Sequence, residues 1–281
     1  MKRKNTSAFM LFAWHPLRQS FSFSRQNSFN LIQEQSYDHH AASLILQEPG
    51  MKTVGIIGGI GPESTIEYYR SMVASYREQK QDGSYPSILI NSIDLTRMLG
   101  LIGANQLAEV TDYLVAEVQK LSQSGADFGL LAANTPHIVF DEIRRQSPIP
   151  LISIVEVTCR EAQSLGLKKV GIFGTRFTMQ QRFYPDVFSK GGIMLTIPEL
   201  DEQNYIHDKY LNELVNGIIL PETRGRLLRI MDRMIDQQGI DGLILGGTEL
   251  PLILKDAEYR GIPFLDTTRI HVKYAVAELL S

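Results

Sequence analysis

Two side chains in this chain could move a proton near neutral pH from the end of a strand. They are His137, in the stretch Asp127 to His137 (DFGLLAANTPH), and Glu249, in Asp241 to Glu249 (DGLILGGTE). An imidazole or a carboxylate at such a place can act as a general acid or base. Each also has a plainer reading. His137 serves equally well as a capping or core histidine, and Glu249 as a carboxylate stabilised at a helix N-terminus. Hydroxyls and amides cluster at the same kind of position. Ser64, Thr65, Asn91, Asn134 and Thr135 lie in the first half of the chain, and Thr175, Arg176, Thr178 and Thr248 in the second. Converging from two sides, such groups hold a small anion with more than one carboxylate. Arg176, just past a strand end, could pair with a carboxylate or be a solvated loop charge.

The elements that must position these groups are short apolar runs ending in small residues. Such runs, bounded by turn signals, read as buried parallel strands, and open α/β sheets take their ligands at the carboxyl ends. The landmarks recur. Asp127 and Asp241 are 114 residues apart, VGIIGG at Val54 and VGIFGT at Val170 are 116 apart, and IPLIS at Ile149 and IPFLD at Ile262 are 113 apart. Three landmarks in one order at nearly one offset imply a duplicated unit. The predicted fold is α/β: two similar lobes related by a pseudo-two-fold, each a small parallel sheet flanked by helices, with the site between them. The first lobe is expected over 51–153, joined by a C-terminal helix over 268–281, and the second over 154–267.

Strands are predicted at Thr53 to Ile57, Ser87 to Ile93, Phe128 to Leu131 and Leu151 to Ile154, then at Val170 to Phe173, Ile193 to Ile197, Leu243 to Leu245 and Pro263 to Leu265. Single helices are predicted over Gln180 to Phe188 and Leu252 to Tyr259. Glu199 to Asn204 reads as a polar connection before a helix from Tyr205 to Val215. Between the first strand and a helix from Ile66 runs Gly58-Gly59-Ile60-Gly61-Pro62-Glu63-Ser64-Thr65. Proline suits a first helical turn, and glycines allow close approach of a ligand. The dinucleotide fingerprint fails, because its third glycine would fall at Ser64. That counts against a nicotinamide enzyme.

A net charge of −3 gives no basic field for nucleic acid or an anionic membrane. No apolar stretch approaches the roughly 18 residues of a membrane-spanning helix. The single cysteine, Cys159, cannot form an internal disulfide and lies on a predicted helix, where a small buried hydrophobe is the plain reading. No metal site is predicted, since no Cys/His cluster has ligand spacing. A cytoplasmic location is expected. Residues 1–50 differ from the rest: Lys2, Arg3, Lys4, Arg18 and Arg25 occur with no acid before Glu34. They read as a disordered tail, as sequence upstream of a true start at Met51, or as an organelle-targeting segment.

GIIGGIGPEST followed by Tyr68-Tyr69, ANTPH, GTRFTM with Phe183-Tyr184, and LGGTEL form a specific set. With them the chain from Met51 onward resembles the aspartate/glutamate racemase family. The resemblance implies chemistry without pyridoxal phosphate or another cofactor, a small acidic amino acid or dicarboxylate as partner, and a homodimer. It places Asn134, Thr135, Thr178 and Thr248 on the substrate carboxylates. The family uses two thiols on opposite faces of the α-carbon, one just before each Asn-Thr or Thr-Glu pair. Here those positions hold Ala133 and Gly247. Three readings follow. One is a racemase-like isomerase using His137, Glu249 or water. Another is a one-base decarboxylase or lyase of the same fold. The third is a catalytically silent binder.

Overall fold

The computed structural model describes residues 51–281; the readings made for residues 1–50 lie outside the described residues. In the first lobe, β1 (Thr53–Gly58) pairs in parallel with β2 (Ser87–Ser92) and with β3 (Phe128–Leu131), and β3 pairs with β4 (Leu151–Ile152). In the second, β5 (Lys169–Gly174) lies between β6 (Met194–Thr196) and β7 (Gly242–Gly246), and β7 pairs with β9 (Ile262–Asp266), again all parallel. The two sheets therefore share one strand order, 2-1-3-4 and 6-5-7-9. Every residue of β3 and β7 is buried, as expected of central strands covered by helices on both faces.

The repeated aspartates that open the two landmark stretches have a structural use. Asp127 Oδ2 accepts from the Thr53 N–H at 2.7 Å, and Asp241 accepts from the N–H groups of Lys168 and Lys169 at 2.7 and 3.0 Å. Each ties the start of a central strand to its neighbour, at the edge opposite the candidate site.

The helix α1 (Pro62–Lys80) begins with proline in its first turn and buries Tyr68, Met72 and Tyr76. The last helix, α11 (Thr267–Leu279), packs Val272, Ala275, Val276 and Leu279 against these residues and against Val54, Ile56 and Leu130 of the first sheet. It is anchored by His271, whose Nε2–H donates to the Ile152 carbonyl at 3.0 Å while Nδ1 accepts from the Tyr68 hydroxyl at 2.8 Å.

Three helical expectations are corrected. The segment Leu252 to Tyr259 is not one helix: α10 spans only Leu250–Ile253, and Glu258–Tyr259 forms β8, antiparallel to β9 at the sheet edge. The turn at Gly261, with φ +74°, closes that hairpin and needs a residue free to adopt a left-handed conformation. Glu199 to Asn204 is not a connection either. The helix α8 (Leu200–Asn212) starts there, because Glu199 and Glu202 form a reciprocal capping box built from two glutamates. Gln180 to Phe188 divides into α6 (Arg176–Gln180) and α7 (Phe183–Lys190), with Gln181 extended between them.

Candidate functional site

The glycines at the strand ends are approached by threonines of the chain itself. A Cβ on Gly58 would lie 2.5 Å from Thr65 Cγ2, and one on Gly174 would lie 3.0 Å from Thr178 Cβ. Thr65 Oγ1 also accepts from the Gly59 N–H at 2.8 Å. Thr65 and Thr178 thus hold matching places, each packed over the end of the first strand of its lobe. Ser64 is buried and its hydroxyl donates to the Ala132 carbonyl at 2.8 Å, fastening α1 to the end of β3.

The other polar candidates are engaged in different ways. Asn91 Nδ2 turns to Glu117 Oε2 at 2.8 Å, on the helix α3 (Leu107–Gln123). Asn134 is buried between the lobes, its Oδ1 accepting from the Tyr184 hydroxyl at 2.6 Å. Thr135 opens a short 3-10 turn, Thr135–Val139, and is half-buried. Thr175 caps α6, accepting from the Thr178 N–H at 3.2 Å, and its hydroxyl meets that of Thr178 at 3.1 Å. The Arg176 side chain is exposed, while its backbone N–H donates to His207 Nδ1 at 3.3 Å.

His137 is set for a structural part. Its Nδ1–H donates to the Ala133 carbonyl at 3.0 Å, and Nε2 accepts from the Ile154 N–H at 3.2 Å. The ring stacks on Phe140 with centroids 4.7 Å apart. Burial, followed by repulsion from His271, lowers its pKa to about 3, so the imidazole is neutral with both nitrogens occupied. It borders a cavity of about 360 Å³ together with Phe140, Arg144 and Phe183.

Glu249 borders a different and larger cavity, of about 590 Å³, between α1 of the first lobe and the β7–α10 segment of the second. Ser64 and Thr248 line it too; Asn134, Thr135, Thr175, Arg176 and Thr178 do not. Arg70, Lys255 and Arg269 supply positive charge to its wall, and Glu63, Glu67, Asp256 and Asp266, beside Glu249 itself, negative charge. The Thr248 hydroxyl donates to Glu249 Oε2 at 2.8 Å, and the Tyr210 hydroxyl donates to the same oxygen. Oε1 takes no hydrogen bond from the described residues.

Ala133 is half-buried beside the first-lobe core, and Gly247 is buried at the end of β7. Cys159 is at neither place. It lies in α5 (Ile154–Ser164), where burial pushes its thiol pKa up. Sequence reasoning passed over Tyr210, which reaches Glu249 from 39 residues upstream in the chain, and Asp266, which caps α11 at the cavity wall. For Asp266 a signal existed, since Asp before Thr-Thr is an N-cap pattern. For Tyr210 none did.

With two α/β sheets of one strand order and a cavity between them, the chain matches the sequence pattern of Asp/Glu/hydantoin racemases over residues 57–275. The chain belongs to the Asp/Glu/hydantoin racemase family. It is 24% identical over 237 residues to the broad specificity amino-acid racemase RacX of Bacillus subtilis (strain 168), covering 81% of this chain and 98% of that one. Among solved structures it is similar to a candidate Asp/Glu racemase from Yersinia pestis, at 31% identity and a TM-score of 0.77 over 82% of this chain and all of that one. An aspartate racemase homologue from Pyrococcus horikoshii OT3 gives 29% and 0.73 over 82% of this chain and 100% of that one. No helix among the described residues is long and apolar enough to cross a membrane.

Proposed function

We propose that the protein is a racemase-like isomerase that works without pyridoxal phosphate. Its substrate is a small acidic amino acid or dicarboxylate held between the lobes, and Glu249 is its proton-transferring group. The observation that carries this reading is the setting of Glu249. It stands at the carboxyl end of β7, two residues past Gly247, with one oxygen held by two hydroxyls and its side chain at the wall of the interlobe cavity. Ligands of open α/β sheets bind at such strand ends. Arg70, Lys255 and Arg269 offer charge to substrate carboxylates, and Thr268 brings a buried hydroxyl with no partner among the described residues. Its relatives include a broad specificity amino-acid racemase, which supports an amino-acid substrate, and an aspartate racemase homologue, which supports an acidic one.

In this reading the Cα–H bond of the substrate breaks and the proton passes to Glu249. The electron pair is left on the α-carbon and delocalised into the adjacent carboxylate. His137, neutral and bonded at both nitrogens, is not assigned a catalytic part. Ala133 carries no proton, so the return on the opposite face falls to water. That gap supports a second reading, one-base chemistry such as decarboxylation of a small dicarboxylate. Homodimer formation belongs to the proposal as a family expectation.

The test incubates the full-length protein with L- and D-aspartate and L- and D-glutamate in deuterium oxide. Proton NMR follows α-exchange and a chiral assay follows inversion. Exchange with inversion is expected. Exchange without inversion supports one-base chemistry, and no exchange with any of the four removes the isomerase reading.

A further inference from the structure

We propose that Gly247 and Tyr210 are a matched pair: the missing side chain at 247 leaves the space that the Tyr210 phenol fills, and the phenol positions the Glu249 carboxylate for proton transfer. This rests on the functional reading above, in which Glu249 is the base. A Cβ built on Gly247 would lie 2.5 Å from Tyr210 Cε2, 2.7 Å from its hydroxyl oxygen and 2.8 Å from Cζ. Real Cβ atoms do not come so close to ring atoms, so no residue but glycine fits while Tyr210 stays in place. The backbone is not the reason. Gly247 is not among the glycines with positive φ, so its conformation is open to any residue. Space alone excludes a side chain, and the atoms that exclude it belong to one ring.

That ring is fixed. Tyr210 sits on α8 within the core formed by Ile206, Leu214, Leu227 and Leu250, with its ring edge against Gly247 and its hydroxyl at the polar end of β7. The hydroxyl donates to Glu249 Oε2, beside the donation from Thr248, so two donors converge on one carboxylate oxygen. Hydrogen bonds to a carboxylate are the stronger kind, and they hold it in one rotamer. With Oε2 committed, Oε1 is left for a proton arriving from the cavity. Burial, and then the charge of Glu249, raises the Tyr210 pKa well above the ordinary phenol value. The phenol therefore stays a donor, and the carboxylate is the member that accepts. Tyr210 is a positioning residue in this account; Glu249 is the group that meets the substrate.

The experiment compares wild type, Tyr210→Phe and Gly247→Ala in the α-exchange assay, with kcat and KM determined separately. Tyr210→Phe keeps the packed ring and removes only the hydroxyl. We expect kcat to fall by roughly 10- to 100-fold, the worth of a hydrogen bond to a charged group, with KM within about twofold. Gly247→Ala, which pushes the ring away, is expected to show the same split. A second readout needs no turnover: in protein carrying 13Cζ-tyrosine, the Tyr210 resonance should titrate above the ordinary phenol range, and in Glu249→Gln it should titrate at lower pH than in wild type. Unchanged kcat in Tyr210→Phe, or a Tyr210 titration indifferent to Glu249→Gln, overturns the pairing while the isomerase reading stands. No exchange by wild type overturns the isomerase reading, and with it the service of Tyr210 to catalysis.

Discussion

The Tyr184 hydroxyl, in the second lobe, donates to Asn134 Oδ1, in the first, at 2.6 Å, and both side chains are buried. The contact continues from Asn134 Nδ2 to Thr267 Oγ1 at 3.4 Å, and from that hydroxyl to the Leu245 carbonyl at 3.0 Å. A short polar chain thus crosses the lobe boundary and meets the start of α11. Tyr184→Phe removes one donor and leaves the Asn134 oxygen buried without it, at a cost of about 1–3 kcal/mol. Chemical denaturation should show a lower midpoint for Tyr184→Phe than for wild type. Equal midpoints would mean the contact contributes nothing to holding the fold.

Thr65 and Gly58 should be energetically coupled. Gly58→Ala places a Cβ 2.5 Å from Thr65 Cγ2 and drives the threonine off the Gly59 N–H. Thr65→Ala gives up the same hydrogen bond by itself. The double variant should therefore be less destabilised than the two singles added together, by about 0.5–3 kcal/mol. Additive effects would show that the two residues do not share this contact.

Acid should weaken the fold through two histidines. Burial is the main cause that lowers His137 to about 3 and His271 to about 4, each from the ordinary 6.5. As pH falls below about 6.5, the unfolded chain takes up protons that the folded chain refuses, so stability drops until the folded rings titrate near 4 and 3. Each pH unit in that window costs about 1.4 kcal/mol per histidine. Urea midpoints at pH 8 and pH 5 should show the protein less stable at pH 5. A midpoint that rises on acidification would contradict the neutral, buried assignment of these rings.

Much of the fold was legible because central parallel strands must be apolar on both faces. TVGIIG, FGLL, KVGIFG and GLILG are runs of that kind, and all four are strands. What escaped was set by chemistry that pattern reading does not weigh. The box at Glu199 uses glutamate as the cap, and the Arg260–Gly261 turn converts an expected helix end into a hairpin. The candidate site was legible in part. Glu249 was picked out at its strand end, but its partner Tyr210 comes from a different helix, and only folding brings the two together. His137 stayed open between a base and a core histidine because the Ile154 N–H that occupies Nε2 lies 17 residues away in the chain.

The measurement that bears most directly on the central claim is α-proton exchange by Glu249→Gln beside wild type, with aspartate and glutamate in deuterium oxide. Glutamine keeps an oxygen for the Tyr210 and Thr248 hydroxyls but cannot take the proton. The account predicts that wild type exchanges and that kcat in Glu249→Gln falls by about 100-fold or more, while substrate still raises the melting temperature of the variant. Exchange at the wild-type rate in Glu249→Gln would contradict the assignment of Glu249 as the base.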